Sequence, residues 1–188
     1  MESKNAFLIV DPQVDFCPGG ALAVPSGDTI MPVINRLIMG KLKSVPTFVS
    51  RDHHPAVTTH FDSWPVHCVV GTPGAEFHHD LDLPHDAVII SKGMGAEEDS
   101  YSAFDGISPN GSSLELELKS RGVTHLYVAG LATDYCVKAT VLDALGRGFK
   151  VMVVLDACAA VNIHPDDGRL AREEMFAHKA ELIESAKI

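Results

Sequence analysis

The chain has 188 residues, of which 46% are hydrophobic and 21% charged, and this balance excludes an intrinsically disordered protein. Its formal net charge is −10 and its lysines and arginines are scattered, which argues against nucleic acid or an anionic membrane surface as a partner. No apolar run approaches the ~18 residues of a membrane span, and the length predicts one domain over residues 1–188.

Five short segments have the continuous apolar pattern of strands in a parallel sheet that is covered on both faces. In chain order they are Ala6–Val10, Pro46–Ser50, Ala87–Ser91, His125–Ala129 and Lys150–Leu155. Helical periodicity alternates with them, at Asp28–Leu42, Leu114–Ser120, Asp134–Leu145 and Pro165–Ala177. This alternation predicts an α/β fold with a doubly wound, mainly parallel sheet and helices on both faces.

The N-terminal segment and the cysteines indicate a compartment. The first apolar stretch is only five residues long, too short for a secretory signal, so we expect a cytoplasmic protein. The four cysteines are far apart and form no C-x-x-C pair, which predicts free thiols: Cys17, Cys68, Cys136 and Cys158. The sequence leaves three roles open for each cysteine: a buried side chain, a metal ligand or a catalytic residue.

Two long stretches lack periodicity, Arg51–His85 and Gly93–Gly111, and loops of this length in a compact domain are usually functional. Within the second, the acidic stretch Gly95–Ser100 is interpreted as a solvated loop rather than a lid. The first contains seven of the ten histidines: His53, His54, His60, His67, His78, His79 and His85. This concentration is the strongest anomaly in the composition.

One carboxylate and three of these histidines form a candidate metal site. Residues two apart in an extended segment face the same side, so Asp52 and His54 can point together, and the loop can fold His60 and His67 onto them. Imidazole and carboxylate ligands suit Zn²⁺, Fe²⁺ or Mn²⁺. The alternative is a polar loop with surface histidines, and we assign to it His53, His78, His79 and His85.

Reactive side chains follow the predicted strands, where ligands bind in open α/β sheets. Asp11 follows the first strand and Lys92 the third, and the helix after the fourth strand carries Cys136 in its first turn. A helix N-terminus and a lysine both favour the thiolate, and Asp11 can accept and return its proton. The residues leave open the alternative that Cys136 is a small buried hydrophobe, Asp11 a turn residue and Lys92 a solvated side chain.

Seven motifs occur in an order that covers nearly the whole chain. They are residues 8–22 (LIVDPQVDFCPGGAL), 52–54 (Asp-x-His), 64–68 (WPVHC), 71–75 (GTPGA), 92–93 (Lys-Gly), 101–104 (YSAF) and 130–137 (GLATDYCV). This combination resembles the nicotinamidases and pyrazinamidases of the isochorismatase-like cysteine hydrolase superfamily. The resemblance implies the fold of that superfamily, with six strands in the sheet.

The resemblance also implies an activity, the hydrolysis of nicotinamide to nicotinate and ammonia through a cysteine thioester. This reaction belongs to NAD salvage, and pyrazinamide is the second substrate expected. The catalytic residues carried over are Asp11, Lys92 and Cys136. One divalent metal ion, zinc with iron or manganese as alternatives, orients the pyridine ring of the small-molecule substrate and is bound by Asp52, His54, His60 and His67.

The remaining roles implied by the resemblance concern the substrate pocket. The backbone N–H groups of Ala132 and Cys136 form an oxyanion hole, and a cis peptide bond precedes Ala132. Tyr135 lies at the pocket edge. The substrate ring is contacted by Phe16, Trp64, Tyr101 and Leu131.

Two other functions stay open beside this one. In the first alternative, the chain is a cysteine hydrolase that acts on another small amide or carbamoyl compound. In the second, it is a non-enzymatic metal-binding or redox-sensing protein that uses Cys136. The metal loop distinguishes a nicotinamidase from the first alternative. Removal of the metal should abolish nicotinamide hydrolysis, whereas a metal-independent relative keeps its turnover. The sequence leaves open whether the protein is a monomer or a homo-oligomer.

Overall fold

The computed structural model describes residues 4–97 and 100–188, so Glu98 and Asp99 of the acidic loop lie outside the described residues. One six-stranded sheet organises the molecule, and its strand order is β3-β2-β1-β4-β5-β6. Every neighbouring pair of strands is parallel. The strands are β1 (Asn5–Val10), β2 (Thr47–Asp52), β3 (Val88–Lys92), β4 (His125–Leu131), β5 (Lys150–Ala159) and β6 (Glu181–Ile183).

Four α-helices connect the strands, and their bounds differ in part from the sequence prediction. They are α1 (Met31–Met39), α2 (Leu114–Ser120), α3 (Lys138–Gly146) and α4 (Asp167–Ala177). A 3₁₀ turn, Gly27–Ile30, takes the place of the first turn predicted for α1. The segment predicted to begin α3 is a π-helical turn, Thr133–Val137, and this turn carries Cys136.

The helices cover both faces of the sheet, as the apolar patterns predict. Alternate β1 residues divide between two hydrophobic clusters, Leu8 lying in one and Ile9 in the other. On one face, Ile34 of α1 is completely buried in the cluster of Ile9. On the other, α2, α3 and α4 contribute to the cluster of Leu8, for example through Val141 of α3. Strands buried on both faces explain the continuous apolar runs in the sequence.

The strand order reverses between β1 and β4, and at such a switch point the connections leave a crevice beyond the carboxyl ends of the strands. Val10 pairs there with Gly130, whose φ is +122°. A Cβ atom on Gly130 would lie 2.1 Å from the carbonyl oxygen of Val10, so only glycine permits this close approach. The two strands are followed by Asp11 and by the turn that carries Cys136.

All four cysteines are free thiols, in agreement with the prediction. Among the helices in the described parts of the chain, none combines the length and apolar character that crossing a membrane requires.

Candidate active site

A buried lysine lies at the centre of the candidate active site. Lys92 has no exposed surface, and its Nζ lies 3.0 Å from Asp11 Oδ2. The same ammonium group donates a hydrogen bond to Asp52 Oδ1 and lies 3.6 Å from Cys136 Sγ. The structure therefore brings together the four reactive side chains that the sequence places beyond four strands.

Burial and charge determine the protonation of this cluster. Burial raises the pKa of Asp11, and the attraction of Lys92 only partly opposes it. Burial acts in the same direction on Asp52, but the charge of Lys92, with smaller contributions from the neighbouring His54 and His67, outweighs it and holds the pKa of Asp52 well below its usual value. Of the two acids, Asp11 therefore has the higher pKa and is the one suited to exchange a proton, whereas Asp52 stays ionised.

The thiol of Cys136 differs from the sequence prediction. Complete burial raises its pKa well above the usual value, and the Asp11 and Asp52 carboxylates add to this effect against the attraction of Lys92. The expected stabilisation of the thiolate by the helix N-terminus is outweighed, because desolvation penalises the charged form. The resting cysteine is a thiol, and one oxygen of Asp11 lies within 4.8 Å of its sulfur.

Three buried histidines form a second cluster beside the first. One nitrogen from each of His54, His60 and His67 lies within 4.8 Å of the other two. Asp52 Oδ2 lies 3.8 Å from both His54 Nε2 and His67 Nε2. Asp52 therefore faces Lys92 with one oxygen and the histidines with the other, and the four predicted ligands converge.

The outer nitrogens of two histidines are fixed by backbone carbonyls. His54 Nδ1 lies 2.9 Å from the carbonyl oxygen of Gly93, and His67 Nδ1 lies 2.7 Å from that of Pro65. A carbonyl only accepts, so each Nδ1 carries the proton and each Nε2 presents a lone pair towards the cluster. His54 Nε2 is buried and has no hydrogen-bond partner, the state expected of an imidazole that ligates a cation. The site fits a divalent metal ion.

The other histidines of the loop lie outside this cluster. Two of them lie in one turn, where the rings of His78 and His79 stack with centroids 4.3 Å apart. His78 Nδ1 accepts a hydrogen bond from the backbone N–H of Asp80. His79 and His85 are exposed, as the assignment to a polar surface loop predicts, and His53 is partly buried. His78 is buried, so the surface position predicted for it is wrong: its ring packs in the turn and bonds to the backbone of Asp80.

A cavity of about 50 Å³ opens above the lysine cluster. This volume exceeds several-fold the roughly 10–15 Å³ that one water molecule needs. Its walls include Phe16, Trp64, Tyr101, Leu131, Tyr135 and Cys136, together with metal-site residues. All four residues predicted to contact the substrate ring therefore line one cavity.

Aromatic contacts shape the mouth of this cavity. Trp64 Nε1 donates a hydrogen bond of 2.9 Å to the hydroxyl oxygen of Tyr101. The Tyr135 ring meets Trp64 edge-on, with centroids 5.2 Å apart, and stacks loosely on Tyr101 at 6.4 Å. The three rings form a rigid, flat-sided wall, which suits a planar ligand.

The loop after β4 has the conformation that the resemblance implies. The peptide bond between Leu131 and Ala132 is cis. The carbonyl of Ala132 accepts hydrogen bonds from the N–H groups of Tyr135 and Val137, which fixes the turn around Cys136. An oxyanion hole formed by the N–H groups of Ala132 and Cys136 stays a prediction.

Sequence reasoning missed several side chains that hold the site together. Ser50 Oγ donates a hydrogen bond of 2.7 Å to Asp11 Oδ1, and the amide of Gln13 bonds to the backbone of Asp52. Asp15 accepts the N–H of Cys68 at 2.7 Å, next to His67 in the histidine loop. Gln13 and Asp15 lie within the motif of residues 8–22, but the sequence does not indicate the groups to which they bond.

Comparisons with known proteins identify the family of the chain. A family model described as the isochorismatase domain matches residues 5–187. The nicotinamidase of Escherichia coli (strain K12) is 43% identical over 199 residues, which cover 95% of this chain and 93% of that protein. The crystal structure of the pyrazinamidase of Pyrococcus horikoshii in complex with zinc has 42% identity and a TM-score of 0.87, covering 96% of this chain and 99% of that one. The structure of PnC1 from L. infantum in complex with nicotinate has 33% identity and a TM-score of 0.86, covering 98% and 94%. The chain belongs to the isochorismatase family.

Proposed function

We propose that the chain is a nicotinamidase, which hydrolyses nicotinamide to nicotinate and ammonia and also accepts pyrazinamide. One observation carries the proposal: a single buried ammonium group, that of Lys92, contacts Asp11 and lies 3.6 Å from the sulfur of Cys136. A lysine with a purely structural role would not be stabilised by a neighbouring thiol at the floor of a cavity. The similarity to a nicotinamidase over nearly the whole chain supports the substrate.

The first half of the reaction forms a thioester. Because burial keeps Cys136 protonated, Asp11 must accept the thiol proton as the sulfur attacks the carboxamide carbon. Asp11 then donates this proton to the departing nitrogen, and ammonia leaves. The raised pKa of Asp11 suits it to this exchange, since a carboxylate of higher pKa is a stronger base towards the thiol proton and still returns that proton to the leaving nitrogen.

Lys92 stabilises charge throughout these steps. Its pKa is well above the usual value because, although burial alone would lower it, the Asp11 and Asp52 carboxylates outweigh that effect. It therefore remains an ammonium ion and stabilises the thiolate as that charge forms. The N–H groups of Ala132 and Cys136 are the donors that we assign to the tetrahedral oxyanion, where one donor contributes roughly 3–4 kcal/mol in comparable sites.

The second half returns the enzyme to its starting state. A water molecule in the cavity attacks the thioester carbon while Asp11 accepts one of its protons. The carbon–sulfur bond breaks, the sulfur leaves as a thiolate beside Lys92, and Asp11 returns the proton to it. One water molecule is consumed, and nicotinate and ammonia are the products.

We assign the metal site to Asp52, His54, His60 and His67, with zinc as the ion and iron or manganese as the alternatives. Four ligands of these types, three of them imidazoles, suit zinc, and a related pyrazinamidase was crystallised with zinc. A divalent ion bound there supplies a Lewis acid for the pyridine nitrogen, directly or through water. The wall formed by Phe16, Trp64, Tyr101 and Leu131 holds the ring flat in the cavity.

An ammonia-release assay with nicotinamide tests the proposal, before and after chelation and with elemental analysis of the bound metal. Cys136→Ala should abolish turnover while leaving the fold and the metal intact. Cys158→Ala, which removes another thiol outside the cavity wall, is the matched control and should stay active. Ammonia release by Cys136→Ala, or full activity after complete metal removal, would refute the assignment.

We further propose that the protein acts in the cytoplasm as one domain spanning residues 1–188. Fractionation of cells and limited proteolysis test these two proposals.

A further inference from the structure

The strand pairing beside Asp52 is incomplete on one side. The pairing of β1 with β2 ends at Ile9 and Val49, whereas the pairing of β2 with β3 continues as far as Asp52 and Lys92. The end of β2 is therefore paired with β3 on one side, for example through the N–H of His53 and the carbonyl of Lys92, whereas the N–H and C=O of Asp52 point to the other side, where β1 offers no strand partner. A buried peptide group without a partner costs free energy, so something else must bond to it.

The side chain of Gln13 takes that place. Its Oε1 accepts the N–H of Asp52 at 2.7 Å, and its Nε2 donates to the carbonyl of Asp52 at 2.8 Å. A second hydrogen on Nε2 reaches the carbonyl of Ala75 at 2.9 Å. Gln13 has no exposed surface, and its carboxamide bonds to Asp52 as the peptide of a neighbouring strand would.

We propose that Gln13 is a positioning residue, whose carboxamide extends the β1–β2 ladder and so sets Asp52 for both the metal ion and Lys92. The inference rests on the proposed function and adds a residue to it. Asp52 bonds to Lys92 through Oδ1 and faces His54 and His67 through Oδ2. A shift of its backbone therefore disturbs the lysine cluster and the metal site together, and only Pro12 separates Gln13 from Asp11.

Two substitutions separate this role from simple packing. Gln13→Glu preserves shape but places a carboxylate oxygen against the two carbonyls that Nε2 now bonds, and this contact is repulsive. Gln13→Met preserves volume and removes all three hydrogen bonds. Partners of metal ligands commonly change metal affinity or activity by about 10–100-fold when they are replaced.

Asn35 offers a matched control for the first substitution. Its Nδ2 donates to the carbonyl of Asp80 at 2.7 Å, and its Oδ1 accepts the N–H of Asp82 at 2.9 Å, the same kind of amide bridge, here from α1 to an exposed loop. Asn35→Asp makes the same change from amide to carboxylate away from the site. It controls for the general effect of breaking an amide bridge.

The experiment measures the dissociation constant for Zn²⁺ by competition with a chromophoric chelator, at a temperature where circular dichroism shows each variant folded. We expect the constant to rise about 10–100-fold in Gln13→Glu and Gln13→Met. At saturating zinc and nicotinamide, kcat should also fall in both variants, because Lys92 loses its fixed partner. Asn35→Asp should change neither quantity.

Unchanged zinc affinity in both Gln13 variants, an equal loss in Asn35→Asp, or failure of both Gln13 variants to fold would overturn the proposal. A wild-type chain that binds no zinc would remove the metal site and this inference with it. A wild-type chain that binds zinc but does not cleave nicotinamide would refute the proposed function alone. In that case the affinity comparison still decides whether Gln13 positions Asp52.

Discussion

Replacing the buried lysine by a residue of similar shape is the most direct test of the electrostatics of the site. In Lys92→Met the side-chain volume is kept, but the ammonium group that contacts Asp11 at 3.0 Å and bonds to Asp52 is lost. Two buried carboxylates then lie close together without a cation, one oxygen of each within 4.8 Å of the other. Removing one partner of a buried ion pair destabilises a protein by about 3–5 kcal/mol.

For a chain of this size, each kcal/mol lowers Tm by about 2–4 °C, so we expect a fall of roughly 6–20 °C. The loss should be smaller at low pH. Without Lys92, burial raises the pKa of Asp11 unopposed by that cation, so the folded state holds a proton that the unfolded state releases. Stability of the variant therefore falls as the pH rises above the unfolded pKa of about 4.

The assay is thermal unfolding of chelator-treated protein at pH 5 and pH 8, followed by circular dichroism. The matched control is Lys119→Met, which removes an exposed lysine paired with Glu115 and should cost less than about 1 kcal/mol. In the double variant Lys92→Met with Asp11→Asn, one uncompensated charge is gone and part of the stability should return. Equal Tm values for Lys92→Met and the wild type would show that the lysine does not neutralise the two acids.

Three further predictions concern the metal, the cavity wall and helix α2. His54→Ala should lower the amount of metal bound per chain and raise the KM for nicotinamide. The control His85→Ala, at an exposed histidine, should retain the metal. If elemental analysis finds equal metal content in the two variants, His54 is not a ligand. Trp64→Phe removes the hydrogen bond to Tyr101 and should raise KM several-fold with little change in Tm, by steady-state kinetics and calorimetry. The pKa of Glu117 is lowered, chiefly by a hydrogen bond from Arg121, so its contribution to stability is present above the unfolded pKa of about 4.3 and is lost as the pH falls through the folded pKa. Glu117→Gln should therefore destabilise the protein at pH 7 in chemical denaturation, and the difference from the wild type should shrink as the pH is lowered; a difference that does not change with pH contradicts this.

The sheet was predictable to the extent that its strands are buried on both faces. Continuous apolar runs identified β1 to β5, although β5 extends beyond the prediction to Ala159. β6 has three residues, Glu181–Ile183, the first of them exposed, and so short an edge strand gives no apolar run. The sixth strand was predicted only from the resemblance to the family, because the local sequence pattern does not indicate a strand there.

The candidate site was predictable where it depends on topology. The carboxyl ends of parallel strands lie at the same edge of the sheet. The convergence of Asp11, Lys92 and Cys136 therefore follows from the order of the strands and helices. The pKa of Cys136 was not predictable, because it depends on burial that only the folded packing sets. Gln13 was missed for a similar reason, since its partner depends on where the pairing of β1 and β2 stops.

The contact between Gly130 and Val10 has a consequence for the spacing of the reactive groups. A methyl group at residue 130 would begin 2.1 Å from the oxygen of Val10, against the 3.0 Å below which such contacts essentially never occur, so the chains would have to separate by about 0.9 Å. Asp11 directly follows one chain and Cys136 is carried by the turn that follows the other. The distance between the Asp11 carboxylate and the Cys136 sulfur therefore depends on glycine at residue 130, which has a hydrogen atom where every other amino acid has a Cβ atom.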